Sequence, residues 1–328
     1  MKLLIQKGAN VDCQNAQMRT PLHFASLKIT KLLLENGANV DSPDVNEWTP
    51  LHFATSDKKV DIVNLLLENG ANTNLQTKDK VTPLILASGN GHIEITKLLL
   101  EHGANVNSSG EYDWTPLHCA INHGNVEIVN LLLQNGANVN CQNVHKTTPL
   151  HCASTHGHTK VVDILFQNGA NLNCENEDKN TPLHFASEFG QSDVAKMLLD
   201  NNICMTVKNE NGQTALDIAK GKNDKKIYRM IYEKMIESLS SKASYNKCAK
   251  DDCQQEIKRL MFDKVGETLS FREAKTCVVC FDERKGTFVL IPCGHAKTCQ
   301  KCSNKIVAES KSCPLCRETV SKYQKVYD

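Results

Sequence analysis

Residues 115–138 read TPLHCAINHGNVEIVNLLLQNGAN. The Thr115 hydroxyl suits a helix N-cap, and Pro116 is tolerated in the first turn because its missing N–H would be unpaired anyway. Leu117 and Ala120 fall on one helical face. The run from Ile128 to Leu133 supplies a second, more apolar helix. Gly136 follows it, where a left-handed residue ends a helix at little cost. The stretch therefore predicts two short helices joined by a turn.

The same wording recurs along the chain. Thr-Pro-Leu-His-x-Ala begins at Thr20, Thr49, Thr115, Thr148 and Thr181, with variants at Thr82 (TPLILA) and Thr214 (TALDIA). The first interval is 29 residues and every later one is 33. Gly37, Gly70, Gly103 and Gly169 hold the place of Gly136, and Asn202 takes it in the sixth copy. A unit of this length and phrasing closely resembles the ankyrin repeat, over residues 1–236 (a partial first repeat and about seven further units). The resemblance implies a mostly α solenoid. Stacked helix–turn–helix units are joined by hairpin loops, and each buries its apolar face on its neighbours.

Three departures stand out. The opening, MKLLIQKGANVD, matches only a second helix and its exit, so an abbreviated N-terminus with apolar surface is expected. The next unit lacks four residues between Ser26 and Leu27, where the third copy has GNGH (89–92). The last unit, TALDIAKGKNDKKIYRMIYEKM, has a charged second half that suits a terminal cap.

His23, His52, His118, His151 and His184 recur at the repeat spacing, which marks them as structural rather than metal or acid–base residues. The resemblance implies that each imidazole ties neighbouring loops by hydrogen bonds. Cys119 and Cys152 read as small core residues. The residue before each Thr varies instead: Arg19, Trp48, Val81, Trp114, Thr147, Asn180, Gln213. In ankyrin-like folds it lies on the concave, hairpin side. Both tryptophans of the chain occupy it, and Trp is a frequent interface anchor. Trp48 and Trp114 are thus candidate contacts to a protein substrate, with packing on their own loops as the alternative. Phe189, at the free end of a first helix, is a further candidate.

No apolar run approaches the roughly 18 residues of a membrane span, and the N-terminus lacks a secretory h-region. No membrane partner is expected. Fifteen cysteines then meet a reducing cytoplasm or nucleus, where clustered cysteines bind metal more readily than they form disulfides. From residue 221 onward there are 22 Lys+Arg against 14 Asp+Glu, which leaves 16 against 23 in residues 1–220. An acidic front and a basic rear follow, with ordinary solvated surface as the plainer reading.

Residues 237–272 carry no repeat phrase and read as a linker, with a short helix in CQQEIKRLMFDKV (253–265). Cys248 and Cys253 read as free thiols. Residues 273–328 differ in kind. Cys277-x2-Cys280, Cys293-x-His295, Cys299-x2-Cys302 and Cys313-x2-Cys316 place eight ligands within forty residues. Zn²⁺ prefers four S or N ligands in a tetrahedron, so eight fill two closed, structural sites and leave none open for catalysis. A segment of this size buries too little apolar surface to fold on its own, and metal takes the place of a core.

Three Cys-x2-Cys pairs with Cys-x-His in this order resemble the RING domain. The resemblance implies an interleaved cross-brace, with Cys277, Cys280, Cys299 and Cys302 on one zinc and Cys293, His295, Cys313 and Cys316 on the other. Spacing alone leaves sequential pairing open. RING domains typically act as ubiquitin ligases, which orient a ubiquitin-charged conjugating enzyme without a covalent intermediate of their own. Carried over position by position, Val279, Ile306, Pro314 and Leu315 would contact the conjugating enzyme. Arg317 would bridge it to ubiquitin through its fork of donors.

The phrases VLIPCGH (289–295) and CPLCR (313–317) are similar to C-terminal RINGs of the inhibitor-of-apoptosis, neuralized and mind bomb ligases. In dimerising members the tail aromatic, here Tyr327, reaches the donor ubiquitin across a homodimer. Two other functions compete with the ligase: an adaptor whose RING only dimerises or docks, and a zinc-based nucleic-acid binder. The segment SNKIVAESKS (303–312) has no arginine and offers little for base readout, which argues against the second.

Overall fold

A computed structural model of the chain describes residues 2–201, 203–240, 277–282 and 287–291. Its helices follow the repeat: α1 (Lys2–Gln6), α2 (Leu27–Glu35), α3 (Pro50–Ser56), α4 (Val60–Glu68), α5 (Pro83–Gly89), α6 (Ile93–Glu101), α7 (Pro116–Asn122), α8 (Val126–Gln134), α9 (Pro149–His156), α10 (Thr159–Gln167), α11 (Pro182–Glu188), α12 (Ser192–Asp200), α13 (Ala215–Gly221) and α14 (Lys225–Ser240). The odd-numbered helices from α3 to α13 stack on one another as an inner layer. The even-numbered ones from α2 to α12 form an outer layer, and each inner helix from α3 to α11 packs on the outer helix that follows it. The repeats form one compact unit reaching Tyr228.

Packing follows the period. Leu51, Leu84, Leu117, Leu150 and Leu183, the third residue of the phrase, are all buried, as are Leu33, Leu66, Leu99, Leu132, Leu165 and Leu198 of the outer helices. Each such leucine stabilises the stack by about 1.5–3 kcal/mol. The two helices of a repeat cover part of this surface and the next repeat covers the rest, which is why the stack behaves as a chain of neighbours. Gly70 and its counterparts adopt φ near +80°, as Gly70 does at +82°. The N–H groups of Gly70 and Ala71 then close the end of α4 on the carbonyls of Leu67 and Leu66.

The imidazoles do two jobs. His52 Nδ1 accepts the backbone N–H of Thr49 at 3.2 Å, and its Nε2 lies 3.1 Å from the carbonyl of Val81 in the next repeat. An accepting Nδ1 puts the proton on Nε2, which therefore donates to that carbonyl. His23, His118, His151 and His184 repeat both contacts, with Nε2 3.0–3.2 Å from the carbonyls of Trp48, Thr147, Asn180 and Gln213. In the last repeat Asp217 replaces His and accepts from Thr214 N–H and hydroxyl at 2.9 and 2.7 Å.

The four-residue gap has a local effect. The inner helix of that unit shrinks to a 3-10 turn over Pro21–His23, and α2 starts at Leu27 directly after its N-cap Ser26. At the chain start Leu3 and Leu4 are exposed. α14 runs four residues into the stretch read as linker. The linker helix expected at 253–265, with Cys248 and Cys253, lies outside the described residues, as does Asn202.

A separate hairpin pairs β1 (Cys277–Asp282) antiparallel with β2 (Thr287–Ile291). No described helix is long and apolar enough to cross a membrane.

Burial, opposed in part by the carbonyl bond, lowers the pKa of His52, His118 and His151 to about 4. Unfolded histidine titrates near 6.5. Because the folded values are depressed, the contribution of these neutral imidazoles is complete above about pH 6.5 and is lost as pH falls toward about 4. Urea midpoints followed by circular dichroism should therefore drop between pH 7 and pH 5, and His118→Gln should flatten that slope. A midpoint constant over this range would contradict the neutral tie.

Candidate recognition face and zinc-finger hairpin

The hairpin loops are built by short polar side chains. Asp44 Oδ1 accepts the N–H groups of Asn46 and Trp48 at 2.8 and 3.0 Å, and Asn143 holds His145 and Thr147 in the same way. Such side chains mimic a backbone turn. At Trp48, Val81, Thr147, Asn180 and Gln213 the carbonyl before the Thr serves the imidazole of the preceding repeat while the side chain is left to differ.

At Trp48 the surroundings form a cluster. Its ring meets Phe53 edge-on at 5.4 Å and His52 at 5.8 Å, and Phe53 meets Phe24 at 5.9 Å. Arg19 lies over Phe53 at 4.8 Å and near Phe24 at 5.7 Å, within cation–π range. Its Nε bonds the buried Asp44 Oδ2 at 2.9 Å. Trp48 is half-buried, whereas Phe24 is 57% exposed. Trp114, also half-buried, meets His118 edge-on at 5.4 Å. Phe189 caps α11, stacks on Phe185 at 6.4 Å and is 52% exposed.

Each tryptophan thus packs on the first helix of its own repeat and stays partly exposed. They sit two repeats apart, and Phe189 lies at the far end of its helix from the hairpins, so the three do not form one pocket. Sequence reading missed Phe24, Phe53 and the guanidinium stacked on them. The signal was the gap after Ser26, which shortens the helix that carries Phe24.

Cys119, Cys141, Cys152 and Cys174 are packed groups, whereas Cys13 is exposed. Burial pushes the Cys119 thiol up to about 11 and Cys152 to about 12. Cys141 and Cys174 sit 3.4 and 3.3 Å from the Thr115 and Thr148 hydroxyls and are also raised by burial. Thiols so shifted are poor nucleophiles and poor metal ligands. Among the described residues no group of three or more His, Cys, Asp or Glu side chains is arranged to hold a metal.

In the separate hairpin, Cys277 pairs with Ile291 and Cys280 with Val289, while the register shifts between Val278 and Cys280, where Val279 stands. One extra residue stands between them, and the two cysteines take register positions two apart on β2. A Cys-x2-Cys pair has the soft donors that zinc prefers. Cys293, His295, Cys299, Cys302, Ile306, Cys313, Pro314, Leu315, Cys316, Arg317 and Tyr327 lie outside the described residues.

Residues 1–77, 57–143, 114–176 and 150–243 match the family described as ankyrin repeats (3 copies), and residues 273–323 match the zinc finger, C3HC4 type (RING finger). The chain is 36% identical over 58 residues to the E3 ubiquitin-protein ligase APD1 of Arabidopsis thaliana, covering 18% of this chain and 13% of that protein. It is 33% identical over 61 residues to Death-associated inhibitor of apoptosis 2 of Drosophila melanogaster, covering 19% and 11%. It is likewise 33% identical over 73 residues to human Baculoviral IAP repeat-containing protein 3, covering 20% and 11%. The matched part is thus a small fraction of each relative's length.

Phe53 underlies the cluster while Phe24 rests on its surface. Phe53→Ala, at a partly buried ring, should destabilise the stack by about 1–3 kcal/mol, and Phe24→Ala by less than about 1 kcal/mol. Urea unfolding of the two variants checks the order, and equal losses would show that both rings are structural.

Proposed function

We propose that this chain, which belongs to the ankyrin-repeat family and carries a RING-type zinc finger, is a ubiquitin-protein ligase whose repeats recruit the protein that is modified. The observation that carries the reading is the C3HC4 finger at residues 273–323, in the company of relatives named as ligases. The repeats supply a face for protein–protein contact, and the finger supplies a dock for a ubiquitin-conjugating enzyme.

The zinc finger binds zinc, and its donor set has the chemistry for two ions. Cys277, Cys280, Cys299 and Cys302 would hold one, and Cys293, His295, Cys313 and Cys316 the other. Zinc here supplies a rigid frame, since every ligand position is filled by protein.

The chain's own residues then orient the reacting partners. Val279, Ile306, Pro314 and Leu315 form an apolar platform for the conjugating enzyme. Arg317 donates to both that enzyme and ubiquitin, which restricts the thioester carbonyl to the geometry in which a lysine amine attacks. The amine nitrogen bonds the carbonyl carbon, the C–S bond breaks with its electron pair going to the cysteine thiolate that stays on the conjugating enzyme, and the amine's proton passes to solvent. The ligase forms no bond of its own, so its contribution is positional. Tyr327 would add a contact to donor ubiquitin from the second copy of a homodimer. Trp48 and Trp114 are the proposed anchors for the substrate, with Phe189 as an outer contact.

Discharge of ubiquitin from a preloaded conjugating enzyme onto free lysine tests the transfer. The full chain should accelerate it with at least one of a panel of such enzymes, and Arg317→Ala should slow it by about tenfold or more while leaving zinc content unchanged. No acceleration from a zinc-replete chain across the panel would leave an adaptor as the surviving reading. Trp48→Ala with Trp114→Ala should leave lysine discharge intact, yet reduce capture of substrate by the full chain.

A further inference from the structure

One joint of the stack is made differently from the rest. At five joints the imidazole donates to the carbonyl before the next Thr. At the same five, a backbone N–H of one hairpin tip donates to the tip before it: Val45 to Gln17, Lys78 to Asn46, Val144 to Tyr112, Glu177 to His145 and Glu210 to Asp178, at 2.9–3.1 Å. Between the repeat of α5 and that of α7 neither bond is present among the described residues. The histidine position holds Ile85. The N–H of Glu111, which the period would pair with the carbonyl of Asp79, makes no such bond.

The cause is readable in the hairpin that follows. Where Asp44, Asn143, Asn176 and Asn209 accept backbone N–H groups, this hairpin has Gly110, which has no side chain to do so. Its turn contains two consecutive left-handed residues, Tyr112 (φ 53°) and Asp113 (φ 58°), whereas Glu47, Lys80, Lys146 and Lys179 stand singly in theirs. The two changes are linked sterically. A Cβ at Gly110 would lie 3.1 Å from Ile85 Cδ1 and 3.3 Å from the Trp114 carbonyl oxygen. A larger residue there would require Ile85 to shift by a few tenths of an ångström, whereas glycine fits as it stands and removes the side-chain acceptor that orients the tip.

The rest of the joint is sound. α5 and α7 pack directly, and Asn125 Nδ2 bonds the Ser88 carbonyl at 3.3 Å. At the base of the hairpins, Gln76 Nε2 bonds Ser109 O at 3.1 Å and the Thr82 and Ser108 hydroxyls meet at 3.2 Å. The helices are joined and the tips are not.

We propose that the ankyrin stack is two stiff blocks, one ending with the hairpin at 77–81 and the other starting with the hairpin at 110–114. The seam between them opens at the tips while α5 and α7 stay in contact. Trp48 and Trp114 fall on opposite blocks, so a partner touching both sets the opening. That consequence rests on the recognition reading, whereas the seam does not.

Amide hydrogen exchange of the full chain, without any partner, tests the seam. Amides of 110–114 should exchange about tenfold faster than their counterparts in 143–147, the factor carried by one or two ordinary hydrogen bonds. Ile85→His with Gly110→Asn should slow them to the level of the neighbours. The converse pair, His151→Ile with Asn176→Gly, should create a second fast-exchanging tip at 176–180, and reports even if the first pair fails to fold. Equal protection at 110–114 and 143–147 in the natural chain would overturn the proposal. So would a folded converse variant with unchanged exchange at 176–180.

Discussion

The stack depends on a hydrogen bond from an imidazole to the next repeat's backbone. A 33-residue unit presents apolar surface on two sides and covers neither, so its stability comes from its neighbour. Leucine burial provides the driving force but little direction. The neutral imidazole provides direction, because Nδ1 is committed to its own Thr and Nε2 reaches one carbonyl in the following loop. Five of the joints use it, and the register of the hairpins follows.

That arrangement separates the frame from the readout. The residue before each Thr gives its carbonyl to the frame, so its side chain is free to be Arg, Trp, Val, Thr, Asn or Gln without disturbing the stack. Under the proposed recognition reading, variation at this position sets partner choice. The cluster of Arg19, Phe24, Trp48 and Phe53 shows how far it can go: a guanidinium held on one edge by buried Asp44 lies against two phenyl rings at the surface.

Much of this was legible in the sequence because the repeat is written almost without variation. The TPLH phrase places the caps, the Leu-Leu-Leu run the outer core, and the glycines the left-handed helix ends. The structural role of the histidines followed from their fixed place in the phrase. Legibility failed where the phrase breaks. The gap after Ser26 signals an altered turn, but its exposure of Phe24 depends on how much helix survives, which is a tertiary outcome. Ile85 and Gly110 lie 25 residues apart, and only the structure shows that Ile85 Cδ1 stands beside the place a Gly110 Cβ would take. Hairpin tips with one or two left-handed residues look alike in sequence, since Lys, Glu and Asp all occupy them. The zinc finger was legible by ligand spacing, whereas the register shift between Val278 and Cys280 was not.

The C-terminal finger solves the same problem as a repeat, with too little apolar surface to stand alone, by a different means. In place of a neighbour it uses metal, and the proposed transfer platform exists only if eight ligands fill two sites. Native mass spectrometry of the reduced full chain measures this directly. The account predicts two zinc ions per chain; one ion, or none, would contradict it.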